Sequence, residues 1–298
     1  MKAIHRQRQC LILWRISTIK VLHRSAVDLA HKIHGDNESG GAPVVVLHGL
    51  LGSKRNWESM CKMIASLNRK VVAADIRNHG ESPHNSSHTY PELAADVSKL
   101  IDSLALKQPA VIGHSMGGRT AMTLALTEPQ KVSKLIAVDI SPVSTAGILN
   151  DFFPKLIDQM KAVDFSGQQK STVTQARGFA RQKLLSSGMF ADGGGIQFIL
   201  MNIGKRGDTI GWMCNLDALK QHFTDIATFP EALKSKQYDG PVLFIGGDQS
   251  NYIPPSDIDG IRGIFPKAEL QYVKGVGHNV HAEDPRSFFQ LVSNFLSK

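Results

Sequence analysis

Short unbroken apolar runs alternate along this chain with longer stretches in which apolar positions recur every three or four residues. Val44-Val45-Val46-Leu47, Val71-Val72-Ala73-Ala74, Leu135-Ile136-Ala137-Val138 and Val242-Leu243-Phe244-Ile245 are runs of the first kind. Runs without polar alternation predict strands buried on both faces of a sheet. Between them, Trp57, Met60, Cys61, Ile64 and Leu67 have helical spacing, as do Leu93, Val97, Leu100, Ile101 and Leu104. Thr89-Tyr90-Pro91-Glu92 reads as a capping box that opens the second of these helices. Val27, Leu29, His31 and Ile33 alternate in a first strand ending at Gly35, and Leu270 to Val273 predicts the last strand. Phe288, Leu291, Val292, Phe295 and Leu296 then share one face of a final helix.

Strands that alternate with helices imply right-handed crossovers and a mostly parallel sheet covered on both faces. The alternation stops between about residues 145 and 238. That stretch is helix-like and polar, with glycine-rich turns such as Gly193-Gly194-Gly195, and shows no clear strand. The expectation is a single α/β domain over residues 28–298, with a helical cap inserted above the sheet's C-terminal edge.

Composition changes this picture at the N-terminus only. The 298 residues carry a formal charge of +8, but Lys2, Arg6, Arg8, Arg15, Lys20 and Arg24 precede the first acidic residue. Without those six the remainder is near +2, which gives no nucleic-acid footprint. Residues 1–27 are basic, acid-free and amphipathic, the character of a mitochondrial transit peptide, so import into the matrix is expected. A secretory signal fits less well, because Arg15 and Lys20 interrupt the apolar run; a basic surface-binding helix is the plainer alternative. No later run approaches the roughly 18 apolar residues of a membrane span. Cys10, Cys61 and Cys214 are scattered, without the spacing of a disulfide framework or zinc site.

The chemistry centres on Val111-Ile112-Gly113-His114-Ser115-Met116-Gly117-Gly118. Strand, G-x-S-x-G turn and helix is the context of a nucleophile elbow, which lifts a serine clear of the sheet. A serine hydroxyl needs a base, and the base an orienting acid. His278, in the glycine-rich loop after the last strand, is the candidate base, because catalytic groups gather at the carboxyl ends of parallel strands. The amides of Met116 and Leu50 are the candidate oxyanion donors. His48 and His281 read as supporting residues, and His79 as part of a tight turn. Three aspartates satisfy the order serine, acid, histidine: Asp139 and Asp248 at strand ends, and Asp217 inside the insert. Phe152, Phe153, Leu156, Phe198, Ile199 and Met201 could line an acyl pocket. Nothing calls for a metal or other cofactor.

These motifs resemble the α/β-hydrolase superfamily over about residues 26–298. The blocks H-G-L-L-G-S, D-I-R-N-H-G-E-S-P, G-H-S-M-G-G, A-V-D-I-S-P-V, N-L-D-A-L and G-V-G-H-N-V-H-A-E-D-P look like one family of abhydrolase domain-containing proteins and related bacterial esterases. The resemblance implies an α/β-hydrolase fold and a cofactor-free serine esterase, of diacylglycerol lipase type and mitochondrial in animals. It carries Ser115 as nucleophile and His278 as base. For the acid, the bacterial esterases imply Asp139 and the animal proteins Asp217. Relatives read G-G-N-S where this chain has Gly246-Gly247-Asp248-Gln249-Ser250, so Asp248 ranks third behind Asp139 and Asp217. The implied substrate is a small-molecule or lipid ester. Thioester hydrolysis or acyl transfer would use the same acyl-enzyme, and a partner-binding protein with little turnover is the alternative from another class.

Overall fold

The computed structural model describes residues 25–35, 41–144, 148–190 and 195–298. The leader through residue 24 and most of the Gly193-Gly194-Gly195 turn lie outside the described residues. The first half of the chain builds β1 (His31–His34), β2 (Val44–Leu47), α1 (Glu58–Ala65), β3 (Val71–Ala74) and α2 (Tyr90–Ser103). β4 (Ala110–His114), α3 (Met116–Thr127) and β5 (Lys134–Val138) follow. The insert contributes α4 (Ile148–Lys161), α5 (Val173–Ser186), α6 (Ile196–Leu200), β6 (Ile203–Arg206) and β7 (Thr209–Trp212). It ends with α7 (Leu216–Gln221) and α8 (Phe223–Ala227). The chain then returns to the core with β8 (Val242–Gly247), α9 (Ile258–Ile264), β9 (Ala268–Val273), α10 (Val280–Glu283) and α11 (Pro285–Ser297).

The main sheet has the order β1-β3-β2-β4-β5-β8-β9. All its pairings are parallel except β1 on β3, where His31 lies opposite Ala74. β1 is an edge strand with three of its four residues exposed, so its alternation is shallower than the apolar pattern from Val27 predicts.

Successive residues of the central strands point to opposite faces, and both faces are buried. Val45, Leu47, Val111, Leu135 and Ala137 pack under Leu93, Val97, Ala121, Met122 and Leu124 of α2 and α3. Val44, Val46, Ile112, Ile136, Leu243 and Ile245 pack under Met60, Cys61, Ile64, Phe288, Val292 and Phe295 of α1 and α11. The Thr89–Glu92 capping box is formed, with the Glu92 carboxylate accepting from the Thr89 amide at 3.2 Å.

The insert corrects one expectation. It contains an antiparallel hairpin, β6 with β7, with Ile203 opposite Trp212. Its strands are four residues long and hold a single buried residue each, Ile203 and Ile210, so no apolar run announces them. The two-residue Gly207-Asp208 connection, with Gly207 at φ +60°, is the local sign of the hairpin. The hairpin matters because its base carries Asn202, whose side-chain amide donates to the Leu51 carbonyl at 2.6 Å. The cap is thereby tied to the loop after β2.

Candidate active site

β4 ends at His114 and α3 begins at Met116, so Ser115 alone makes the turn. Its backbone sits at φ +52°, ψ −117°, a conformation that costs an L-residue of order 1–3 kcal/mol. The strain persists because strand and helix are locked on either side. A methyl group on Gly113 would meet the Gly117 carbonyl oxygen at 2.1 Å, and one on Gly117 would meet the His48 carbonyl oxygen at 2.5 Å. Glycine at 113 lets β4 and α3 approach this closely, and glycine at 117 lets α3 sit against the end of β2. The hydroxyl is therefore carried beside the first turn of α3, where Met116 N–H has no partner within the helix.

Asp139 makes a second strained turn at the end of β5, with φ +48° and no solvent exposure. Its amide donates to Ile245 of β8 at 2.8 Å, which places the carboxylate between β5 and β8. That carboxylate accepts from Gly247 N–H at 3.0 Å, from the Ser250 hydroxyl, and from His278 Nδ1 at 2.7 Å. Three donors satisfy a carboxylate that would otherwise be expensive to bury. Because Nδ1–H is spent on Asp139, Nε2 of His278 is the nitrogen able to accept a proton. Tyr252 stacks on the His278 ring, with centroids 3.8 Å apart and planes 22° from parallel. An aromatic face there favours an imidazolium when one forms. Burial, with Asp139 nearby, pushes the Tyr252 phenol up to about 12, so it stays neutral.

The other two aspartates lie elsewhere. Asp217 is in the first turn of α7, where Leu216, Ala218 and Leu219 face inward and Asp217 faces out. It is 81% exposed and paired with Lys161, and the structure does not bring it to His278. The N-L-D-A-L block serves docking instead. Asn215 caps α7, its amide N–H donates to the Asn78 carbonyl at 2.9 Å, and its side chain donates to Asn78 Oδ1 at 3.2 Å. Asp248 is exposed at the end of β8 and accepts from Gly275 N–H at 2.7 Å, closing the turn after β9.

The loop after β2 is held from three sides. His48 donates from Nδ1 to the Gly49 carbonyl at 2.8 Å and accepts from Ile76 N–H at 2.9 Å. His79 accepts from Leu51 N–H at 3.2 Å and donates to the Arg77 carbonyl at 3.0 Å. Asn202 takes the Leu51 carbonyl from the cap side. Burial is the main cause that lowers His48 and brings His79 down to about 3, so both rings stay neutral as hydrogen-bonding braces. Leu50 lies between these anchors and, with Met116, Ser115 and His278, borders one cavity.

That cavity encloses about 220 Å³. Tyr90, Ile140, Phe152, Phe153, Leu156, Phe190, Phe198, Ile199 and Ile226 make its walls apolar. Five of the six insert residues singled out for an acyl pocket lie there; Met201 instead borders a neighbouring groove and is 44% exposed. Arg119, fully buried on α3, was not singled out from the sequence. Its guanidinium donates to the carbonyls of Ser141 and Ser144 in the core and of Ile226 and Ala227 at the end of α8. It thus latches the cap over the cavity. His281 is buried, stacked on Trp57 with centroids 4.0 Å apart, and burial brings it down to about 3.

A strained serine at a strand-to-helix turn, a histidine held by a buried aspartate and a capped apolar cavity belong to a recognised architecture. A family model for the α/β-hydrolase fold matches residues 42–285, and the chain belongs to that family. It is a hydrolase of the esterase/lipase type. It is 39% identical over 271 residues to the sn-1-specific diacylglycerol lipase ABHD11 of Xenopus tropicalis, covering 91% of this chain and 82% of that one. Esterase YbfF of Escherichia coli is 31% identical over 261 residues, with 88% and 95% covered. Among solved structures, a marine microorganism esterase superposes with a TM-score of 0.76 at 31% identity, covering 91% of this chain and 100% of that chain.

Proposed function

We propose that the protein is a serine hydrolase that cleaves lipid esters, with diacylglycerol as the substrate class, through an acyl-enzyme. The observation that carries this reading is the 2.7 Å bond between Asp139 and His278 on the wall of the cavity that also holds Ser115. In the proposed cycle His278 Nε2 takes the proton from Ser115 Oγ as that oxygen attacks the ester carbonyl. The oxyanion is met by the amides of Met116 and Leu50, each contributing roughly 3 kcal/mol to the transition state. The imidazolium then protonates the departing alkoxide. Water, deprotonated by the same nitrogen, cleaves the acyl-enzyme and releases the acid and the free serine. The apolar walls favour an acyl chain, and the likeness to diacylglycerol lipases supports a glyceride as its donor.

Turnover of diacylglycerols, short-chain esters and acyl thioesters by the purified protein tests this directly. Long-chain glycerides should give the highest kcat/KM, and Ser115→Ala should lower turnover at least about 10⁴-fold on every substrate. Preference for thioesters, or turnover surviving in Ser115→Ala, contradicts the reading.

The basic, acid-free leader supports a second part of the proposal, that the protein works in the mitochondrial matrix. Residues 1–27 fused to a fluorescent reporter should deliver it to mitochondria in cells. A diffuse cytosolic signal would refute the matrix assignment.

A further inference from the structure

His114 occupies the variable position of the G-x-S-x-G turn, yet the structure does not treat it as a spacer. It is the last residue of β4, next to Ser115 and 6% exposed. Its Nε2 lies 2.9 Å from the backbone carbonyl oxygen of His278, 164 residues away. A carbonyl only accepts, so Nε2 carries the proton and donates it. The ring also lies 4.6 Å from the His278 ring and 5.1 Å from that of His281. On its other side it abuts the loop after β2: a methyl group on Gly49 would meet His114 Nδ1 at 2.8 Å.

One side chain therefore touches the loop of the base and the loop of the proposed oxyanion donor, while its backbone precedes the nucleophile. Resting on the serine mechanism proposed above, we infer that His114 is a positioning residue. Its Nε2–H fixes the backbone of His278, and so sets where Nε2 of that histidine stands relative to Ser115. The side chain of His278 is already oriented by Asp139, but a hydrogen bond to Nδ1 leaves the ring free to ride with its loop. The loop joining β9 to α10 has two glycines, Gly275 and Gly277; Asp248 closes its first turn, and Glu283 accepts from the amides of Gly277 and Asn279 on either side of His278, which leaves the carbonyl of His278 to His114. His114 anchors it from the rigid end of a central strand. Burial, together with the adjacent His278 and His281, holds His114 well below the ordinary histidine range, so the ring is neutral and keeps a single N–H for this bond.

The role predicts a defect in kcat without a matching defect in binding, because a displaced base weakens the transition state and not the substrate complex. The test is steady-state hydrolysis of one soluble ester by the full chain carrying His114→Leu, His114→Gln or His114→Asn, with thermal unfolding recorded for each. Leu should lower kcat about 100-fold and leave KM within about threefold. Gln places an N–H donor where Nε2–H stood, and should recover at least about tenfold of that loss. Asn is one bond too short and should stay as slow as Leu. If Leu does not accumulate as folded protein, the comparison of Gln with Asn decides, since both are neutral amides. A Leu variant with near-normal kcat, or Gln no faster than Asn, would overturn the inference. Loss of turnover in Ser115→Ala with normal turnover in His114→Leu would sink this inference alone. Turnover surviving in Ser115→Ala would instead remove the serine mechanism on which it rests.

Discussion

Replacing Asp139 by asparagine is expected to lower kcat on the order of 10⁴-fold, whereas Asp217→Asn and Asp248→Asn should retain near-normal rates. The carboxylate of Asp139 accepts from His278 Nδ1 at 2.7 Å, which forces the proton onto Nδ1 and leaves Nε2 basic. An asparagine there still has to satisfy the Gly247 amide, 3.0 Å away, and the Ser250 hydroxyl. Its carbonyl oxygen meets the Gly247 amide, and its NH2 stands where one carboxylate oxygen had accepted from both Ser250 and His278, so it faces His278 and the Ser250 hydroxyl turns to accept. Nδ1 must then accept, the proton moves to Nε2, and the nitrogen facing the nucleophile becomes a donor. The fold should survive, because the side chain keeps its shape and its other partners. Asp217 pairs with Lys161 on the surface, and Asp248 closes an exposed turn, so neither substitution reaches His278. Rates for the three variants on a single ester, with circular dichroism as a folding control, settle the matter. A large loss in Asp217→Asn with a normal Asp139→Asn would reverse the assignment.

Acid should unfold the protein at an unusually high pH, because its site is built on neutral buried histidines. His79 and His281 are each brought down to about 3, mainly by burial. In the unfolded chain both return to about 6.5. At pH 7 the folded rings are neutral and the unfolded ones mostly so, and little is lost. As the pH falls below about 6.5 the unfolded chain takes up protons that the folded one refuses, so stability falls with falling pH. Each ring removes up to about 1.4 kcal/mol per pH unit until its folded value is reached. Two rings give a slope of about 2.7 kcal/mol per unit, large against a typical total of about 5–15 kcal/mol. His48, His88 and His114 are lowered in the same direction and add to it. Urea unfolding measured between pH 7 and pH 4.5 should show this slope, and His281→Phe, which preserves the stack on Trp57, should reduce it by one proton. Stability independent of pH across that window would show that these rings are not buried as described.

The sheet was readable because its central strands are buried on both faces, and a short unbroken apolar run fits little else. The elbow was readable because a strained serine needs glycine on both sides, and that requirement is written locally as Gly113 and Gly117. The acid was not. Asp139, Asp217 and Asp248 all sit at the ends or starts of elements, and what separates them is the crossing of two distant loops. Only the bond from Asp139 N–H to Ile245 and the return of residue 278 bring carboxylate and imidazole together. Asp217 could have been demoted from its own neighbours, since Leu216 and Leu219 claim the buried face of α7 and turn it outward. The braces were beyond reach for a different reason. Arg119, Asn202, Tyr252 and His114 act through partners more than 20 residues away, and no periodicity encodes such contacts. The short β6–β7 hairpin escaped because its four-residue strands mix apolar, glycine and polar positions without an unbroken run, leaving its Gly-Asp turn as the lone signal.

Every step of the proposed cycle requires Ser115 Oγ to become covalently bonded. The most direct measurement is to treat the purified protein with a fluorophosphonate and map the adduct by peptide mass spectrometry. A single adduct on Ser115 is predicted, formed at least about 10³-fold more slowly in His278→Ala and absent in Ser115→Ala. Labelling at another residue, or undiminished labelling of Ser115→Ala, would contradict it.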